Sequence, residues 1–387
     1  MSMREQKTSE NDNMPMNNCN SGNKFRPLLN QFISFAASRS SPRVWFLTSG
    51  LSPISIRLIR KLLGHGEYIA VGLRPIEIDS KDEDISNEYW ELVNECQSEK
   101  RQAEGWKDRF RGIRCEGRAM SQCGAAIAET IQVYGRIDIL LCCTSEGVVG
   151  TVEELAMNQA TKSLVQDQFE SIFYSHVNYI KSILPYFREK NNGHIMILSS
   201  ICGHLGSPGI SMFCAATRAL EGYCDSLAYE IAPFNVKLTI IQTNKEVNLL
   251  SGRLKFTPRQ EPYENGHKSV IKLRNILASV IDGHLKATTD DTTRDNEKII
   301  SKYPCLSDES RDKLVMETVF ALYTIGGHVN PPIRHIVGHE AVASVKERLK
   351  NASEELEDYV KVGCSVDILK EESRQAAHVG DTVELNL

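Results

Sequence analysis

The chain has 387 residues, 41% of them apolar and 25% charged, and a formal net charge of −5. That is ample for a sizeable buried core, and the balance lacks the clustered basic surface that neutralises phosphates, so nucleic acid is not an expected partner. Eleven cysteines, odd in number and without a CxxC pair, argue against a disulfide framework and a structural zinc site, and for a reducing, intracellular, cytoplasmic setting. No apolar run approaches the roughly 18 residues of a spanning helix. The first residues carry Glu5, Glu10 and Asp12 in place of an apolar stretch, so no transmembrane segment is expected.

In chain order, residues 1–41 are rich in Asn, Ser and charged side chains, a composition that cannot offset chain entropy by burial, and they are expected to form a disordered polar tail. Within it Phe25 to Ala37 reads as a short amphipathic helix packing locally. From Val44 the pattern turns to short apolar runs alternating with helix-period segments, the signature of βαβ units and a parallel sheet. Val44 to Thr48 reads as a buried strand, Ile54, Leu58, Ile59, Leu62 and Leu63 recur at helical spacing, and Tyr68 to Leu73 supplies the next strand. Together they have the size of a mononucleotide-binding half. The charged stretch Pro75 to Arg114 is expected to be surface structure. Cys123, Ile127, Ile131 and Tyr134 then mark a helix and Ile137 to Cys143 a strand. Phe169 to Leu184 forms a long helix ending near Pro185, followed by strand His194 to Ser199, helix Phe213 to Ile231 and strand Val236 to Gln242.

Residues 245–310 show few strand signals. An amphipathic helix through Val270, Leu273, Leu277 and Val280 and a polar linker from Thr288 to Asn296 make this segment read as a lid or insert. A helix from Leu314 to Tyr323, a short strand Ile333 to Val337 and a charged helix Ala341 to Tyr359 close a domain of residues 42–360, and residues 361–387 read as a polar C-terminal tail.

Three stretches carry a family resemblance across roughly Val44 to Tyr359. Gly135-Arg136-Ile137-Asp138-Ile139-Leu140 is similar to a fourth strand with its lead-in. Gly193 to Gly209, followed by Ala219-Leu220-Glu221-Gly222 and Ser226-Leu227-Ala228-Tyr229-Glu230, is similar to a catalytic strand and helix. Pro331-Pro332-Ile333-Arg334-His335-Ile336-Val337-Gly338 is similar to a last strand. In this order they resemble the classical short-chain dehydrogenase/reductase family. The resemblance implies an α/β fold in a single domain, a doubly wound Rossmann-type parallel sheet with helices on both faces, and a nicotinamide dinucleotide at the carboxyl ends of its strands.

The departures fall on the chemistry. A T-G-x-x-x-G-x-G loop in the family lets the backbone approach the pyrophosphate at a helix N-terminus. Its counterparts are Thr48, Ser49, Pro53 and Ser55, which add Cβ atoms and remove an amide donor. Gly50 and Ser52 retain some freedom for binding in a shifted register, so Thr48, Gly50, Ser52 and Arg74 are the candidate cofactor residues. The family's N-N-A-G motif appears as Cys142-Cys143-Thr144-Ser145. By the family's spacing its catalytic serine falls on Ser200, its tyrosine on Phe213, its lysine on Thr217 and its asparagine on Ile172. Only the serine remains, and without a positioned acid a rate factor of roughly 10²–10⁴ is missing. Arg218 sits at i+5, about 140° around the helix from Phe213 whereas the lysine's place at i+4 lies almost on its face, and Tyr223 is about three turns away.

Each of these has a plainer reading. Ser200 is read as satisfying loop backbone. Arg74 either meets a 2′-phosphate, as in NADP-preferring members, or is an unremarkable exposed arginine before Pro75; the sequence favours neither. Cys142 and Cys143 read as core packing. His335 and His339 are separated by strand and glycine, and no metal site is expected. The basic excess over residues 245–286, with Arg253, Lys255, Arg259, Lys268, Lys272 and Arg274, reads as a solvated face.

The preferred functional reading is a catalytically degenerate member, a pseudoenzyme, kept for binding another protein, its own family members, or a nucleotide or small ligand in the cleft, with NADP binding weak or lost. The alternative is an NADP-dependent oxidoreductase acting on a carbonyl or lipid-like substrate. The helices Phe169 to Leu184 and Phe213 to Ile231 resemble those through which family members pair, so a homodimer is expected. Light scattering at micromolar concentration should give twice the chain mass; a monomer mass counts against it.

Overall fold

The computed structural model describes residues 41–79, 83–258, 274–277 and 299–363, side chains at 83–86 and 361–363 excepted. Residues 1–40, the amphipathic stretch Phe25 to Ala37, the linker Thr288 to Asn296 and the residues after 363 lie outside them.

Strand β1 (Val44–Leu47) is buried along its whole length. Val44 and Phe46 enter one core while Trp45 and Leu47 enter another. A strand covered on both faces reads as a continuous apolar run, and that is why β1 shows no polar alternation. Helix α1 (Pro53–Gly64) follows, with the Ser52 hydroxyl as N-cap and Pro53 in the first turn, where its missing N–H is harmless. Its apolar stripe Ile54, Leu58, Ile59 and Leu62 packs into the core of Trp45. Strand β2 (Tyr68–Leu73) then pairs in parallel with β1, from Val44↔Tyr68 to Leu47↔Val71.

The stretch expected to be surface contributes to the core. It holds helix α2 (Glu83–Gln97) and strand β3 (Phe110–Arg114), which pairs in parallel with β2. Tyr89, Leu92, Cys96 and Trp106 are buried against the core of α1. Charged neighbours dilute the pattern, yet 89, 92 and 96 keep the i, i+3, i+7 spacing of one helix face.

Helix α3 (Met120–Tyr134), strand β4 (Ile139–Cys142) and the short strand β5 (Glu146–Val149) come next. Helix α4 (Gln159–Phe169) passes through a wider turn, Glu170–Tyr174, of π-type hydrogen bonding into α5 (Ser175–Lys190). The helix does not stop at Pro185. The proline stands on the exposed side, where its ring and the lost helical bond face away from the core. Asn191, in the left-handed region at φ 49°, ends the helix. Strand β6 (Gly193–Ser200), helix α6 (Ser211–Ile231) and strand β7 (Val236–Thr243) follow, and β6 pairs with β7 from Gly193↔Val236 to Ser200↔Thr243.

Residues 245–310 are where expectation and structure differ most. Their described part holds helix α7 (Lys245–Leu250), strand β8 (Arg253–Phe256) and strand β9 (Ile300–Lys302). β8 pairs in parallel with β5, Glu146 opposite Arg253, and antiparallel with β9. Arg253-Leu254-Lys255-Phe256 alternates polar and apolar, a strand signal too short to stand out in a long polar segment. Of the expected amphipathic helix, residues 274–277 are described and helical, with Leu277 buried. Helix α8 (Asp308–Gly327), strand β10 (Arg334–Ile336) and helix α9 (His339–Gly363) complete the order.

Among the described residues the main sheet runs β10-β7-β6-β4-β1-β2-β3 with every pairing parallel. The order reverses between β1 and β4, the switch point outside which doubly wound sheets bind ligands. Helix α8 packs on α1, and close approach is built into it. A Cβ at Gly326 would overlap the buried Trp45 indole. Replacing a helical glycine by alanine ordinarily gains about 1 kcal/mol, whereas overpacking costs about 1–3 kcal/mol. Gly326→Ala should therefore lower the urea midpoint, and an unchanged or raised midpoint would show that the indole yields.

Candidate functional site

The loop after β1 is tied down by its own side chains. Thr48 N donates to Leu141 O at 3.0 Å, and the Thr48 hydroxyl accepts from Cys143 N at 2.9 Å and lies 3.2 Å from the Thr144 hydroxyl. Gly50 N donates to Gly72 O at 3.1 Å, and a Cβ there would stand 2.8 Å from Val71. The glycine serves the approach of loop to β2. At the start of α1 the Ser52 hydroxyl accepts from Ser55 N at 3.1 Å, Ser52 O accepts from Ile56 N at 3.0 Å, and Pro53 has no N–H. The Ser55 hydroxyl turns inward to Ser52 and Cys143. Two first-turn amides are thus bonded within the chain and Pro53 has none, where pyrophosphate binding uses several. A cavity of about 50 Å³ lies beside this turn, lined by Ser49, Ser52, Ser145, Ser251, Tyr303 and Arg311 among others.

The four counterparts of the family's catalytic residues, Ser200 at the end of β6 among them, are all buried. Phe213 and Ile172 are 2% and 6% exposed and share one core with Cys142, Cys202 and Cys214. Ile172 lies within the π-type turn. The Thr217 hydroxyl donates to Phe213 O at 2.8 Å, one helical turn back. The Ser200 hydroxyl accepts from Cys202 N at 3.3 Å and caps the short turn Ile201–Gly203. Arg218 braces that turn from outside, donating to Gly203 O and His204 O at 2.9 Å each. Tyr223 packs edge-on to Phe173.

Arg74 is not the exposed arginine of its plainer reading. Its side chain is 15% exposed, and its guanidinium lies 3.3 Å from Glu77, 3.6 Å from Glu146 and 3.9 Å from Glu116. Glu146, 2% exposed, is also 2.6 Å from the Lys255 ammonium and 3.8 Å from Arg118, and accepts from the Ser171 hydroxyl at 2.7 Å. Burial alone would push the Glu146 carboxyl up, but Lys255 and Arg74 hold it below the ordinary value. Burial pushes the neighbouring Glu77 carboxyl up despite Arg74. The basic residues expected on a solvated face are turned inward where described. Lys255 also reaches Asp167 at 3.2 Å, Arg274 reaches Glu154 at 3.2 Å, and Arg253 lies over the Tyr303 ring. Arg259, Lys268 and Lys272 lie outside the described residues.

Cys142 and Cys143 are buried, and among the described residues no group of three or more His, Cys, Asp or Glu is placed to hold a metal. Nor is any described helix long and apolar enough to cross a membrane.

This strand order, with its switch-point cleft, defines a doubly wound α/β protein of the nucleotide-binding class. A profile of the family described as short chain dehydrogenase matches residues 85–245. Among curated proteins the chain is 35% identical to a 3-ketodihydrosphingosine reductase of Bacteroides thetaiotaomicron over 117 residues, 30% of this chain and 42% of that protein. It is 28% identical to human retinol dehydrogenase 8 over 140 residues, 36% of this chain and 42% of that one. The matches thus span less than half the length of these two relatives. A solved short-chain dehydrogenase from Streptomyces avermitilis superposes with a TM-score of 0.61 at 21% identity, covering 85% of this chain and all of that one. Another from Burkholderia phymatum, solved in complex with NAD, gives 0.54 at 14%, covering 81% and 95%. The chain belongs to the short-chain dehydrogenase/reductase family.

Two groups of this site escape a reading by motif. Glu146, a charge opening the apolar run Gly147 to Val149, was visible as an oddity, but its partners were not. His176 is the other, 1% exposed, with Nδ1 2.6 Å from Ile172 O and Nε2 accepting from Thr144 N at 3.3 Å. Burial pulls its pKa from 6.5 down to about 4. The unfolded chain therefore binds the proton first, and stability should fall as pH drops below 6.5, levelling off near pH 4 after a loss of roughly 3 kcal/mol. Urea midpoints between pH 7 and 5 should slope accordingly in the native chain and more weakly in His176→Asn. Equal slopes would place the titration elsewhere.

Proposed function

We propose that the cleft at the β1/β4 switch point serves binding and that the family's proton-transfer route has been lost from it. The observation that carries this is Phe213, a buried ring without a proton to give at the position of the family's acid. Thr217 bonds its own helix where the family has a lysine, and Ile172 offers no polar atom to a relay water. Groups that act as one unit lose most of their effect with the first removal, so Ser200 alone does not sustain the chemistry.

A second reading has an observation of its own, and the comparisons back it better than they back a purely binding role: the named relatives are a reductase and a dehydrogenase. It is an NADP-dependent oxidoreductase acting on a carbonyl or lipid-like substrate, with its proton supplied from somewhere other than residue 213. A homodimer, a protein partner or a small ligand in the cleft is compatible with either reading.

Both make the same measurement decisive. A panel of carbonyls and alcohols, followed by nicotinamide absorbance with NADPH, NADH and their oxidised forms, should show no turnover above the uncatalysed rate. Turnover that survives Ser200→Ala would establish the second reading with a different proton donor. Turnover abolished by that change would mean that the old cleft still works.

A further inference from the structure

Where the family would place the adenosine end of its cofactor, between the ends of β2 and β4, this chain has brought together charges of its own. Arg74 comes from the end of β2, Glu116 and Arg118 from the end of β3, Glu146 from β5, Asp167 and Ser171 from the helix of the π-type turn, and Lys255 from β8. The cavity left among Thr48, Arg74, Arg118, Thr144 and Ser171 is about 10 Å³, room for about one water.

We infer that Glu146 is a built-in anion standing in for a cofactor phosphate: it gathers Arg74, Arg118 and Lys255, so that this end of the cleft is complete without a dinucleotide. This rests on the reading that the cleft has left the family's chemistry, and goes beyond it by saying what took the cofactor's place.

Three observations converge on it. The first is burial, since a carboxylate 2% exposed is sustained only by partners that neutralise and hydrogen-bond it, and here there are three cations and a hydroxyl. Next, the pyrophosphate cradle is gone from the adjoining loop, where Ser52 caps the helix start and Pro53 has no amide to offer. The third is the β5–β8 pairing, which sets Glu146 opposite Arg253 and brings Lys255 within 2.6 Å of the carboxylate. A phosphate brought to Arg74 would compete with a carboxylate already in place and at no entropic cost of association.

The test uses the full chain, with thermal unfolding followed by circular dichroism and binding by nicotinamide fluorescence. Addition of 1 mM NADPH or NADH should leave the wild-type Tm unchanged. Arg74→Ala should lower Tm by roughly 5 °C, with or without NADPH, because it strands buried carboxylates, and Arg74→Lys should recover part of the loss. Glu146→Ala should lower Tm and, unlike wild type, be restabilised by 10 mM inorganic phosphate, which can enter among the three released cations where the side chain stood. A wild-type Tm raised by NADPH, with the rise lost in an otherwise stable Arg74→Ala, would overturn the inference and make Arg74 a 2′-phosphate ligand. Equal phosphate response in wild type and Glu146→Ala would also overturn it. The wild-type measurement decides even if a variant fails to fold. NADPH binding without turnover sinks this inference alone, whereas turnover sinks the proposed function.

Discussion

The fold hangs on a central strand that has no exposed face. All four residues of β1 are buried, and two separate cores claim its alternate side chains. Such a strand forces helices onto both sides of the sheet. On one side these are α3, α5 and α6, on the other α1 and α8. With both faces covered, a ligand is left the carboxyl ends of the strands, and the reversal of strand order between β1 and β4 opens that edge at one place. Thr48, Arg74, Thr144 and Ser200 all lie along this edge because the fold leaves them nowhere else.

At that edge the substitutions form a consistent set. Where the family's loop stays bare for a phosphate, Ser52 and Ser55 satisfy one another and the helix start. Thr48 bridges to the backbone beside Cys143, and His176 accepts the next amide, from Thr144. The polar groups at this edge find partners within the chain, as buried polar groups generally do. The acidic and basic residues around Glu146 repeat the pattern with charges, and they draw on elements far apart in the chain.

Fold and chemistry make different demands on the sequence. The parallel sheet, its order and its superposition on solved short-chain dehydrogenases follow from burial patterns that tolerate wide change of sequence. Proton transfer tolerates little, since it depends on one hydroxyl, one cation and one amide in register. Phe213 puts a buried ring at the position of that hydroxyl and brings no hydroxyl to it. The oxidoreductase names of the relatives speak for the lineage and the class; which side chains remain decides what the cleft can do.

Periodicity and spacing determined a good deal without a structure. The two-sided burial of β1, the stripe of α1 and the strands around residues 68–73, 139–142, 193–200 and 236–243 follow from local repeats in the sequence. The order of three motifs carried the resemblance that implied the fold class, and the spacing of the resembled family picked out Ser200, Phe213 and Thr217, of which the last two share a helix face by backbone geometry alone. Partners far apart in sequence could not be read this way. Thr48 meets Cys143 across 95 residues and Lys255 meets Asp167 across 88, and a charge carries no mark of which opposite charge it will find. So the sequence left Arg74 between a 2′-phosphate and solvent, and only the tertiary structure showed it beside Glu77 and Glu146. The small sheet of β5, β8 and β9 stayed hidden for the same reason: three- and four-residue strands have too little pattern of their own, and only pairing defines them.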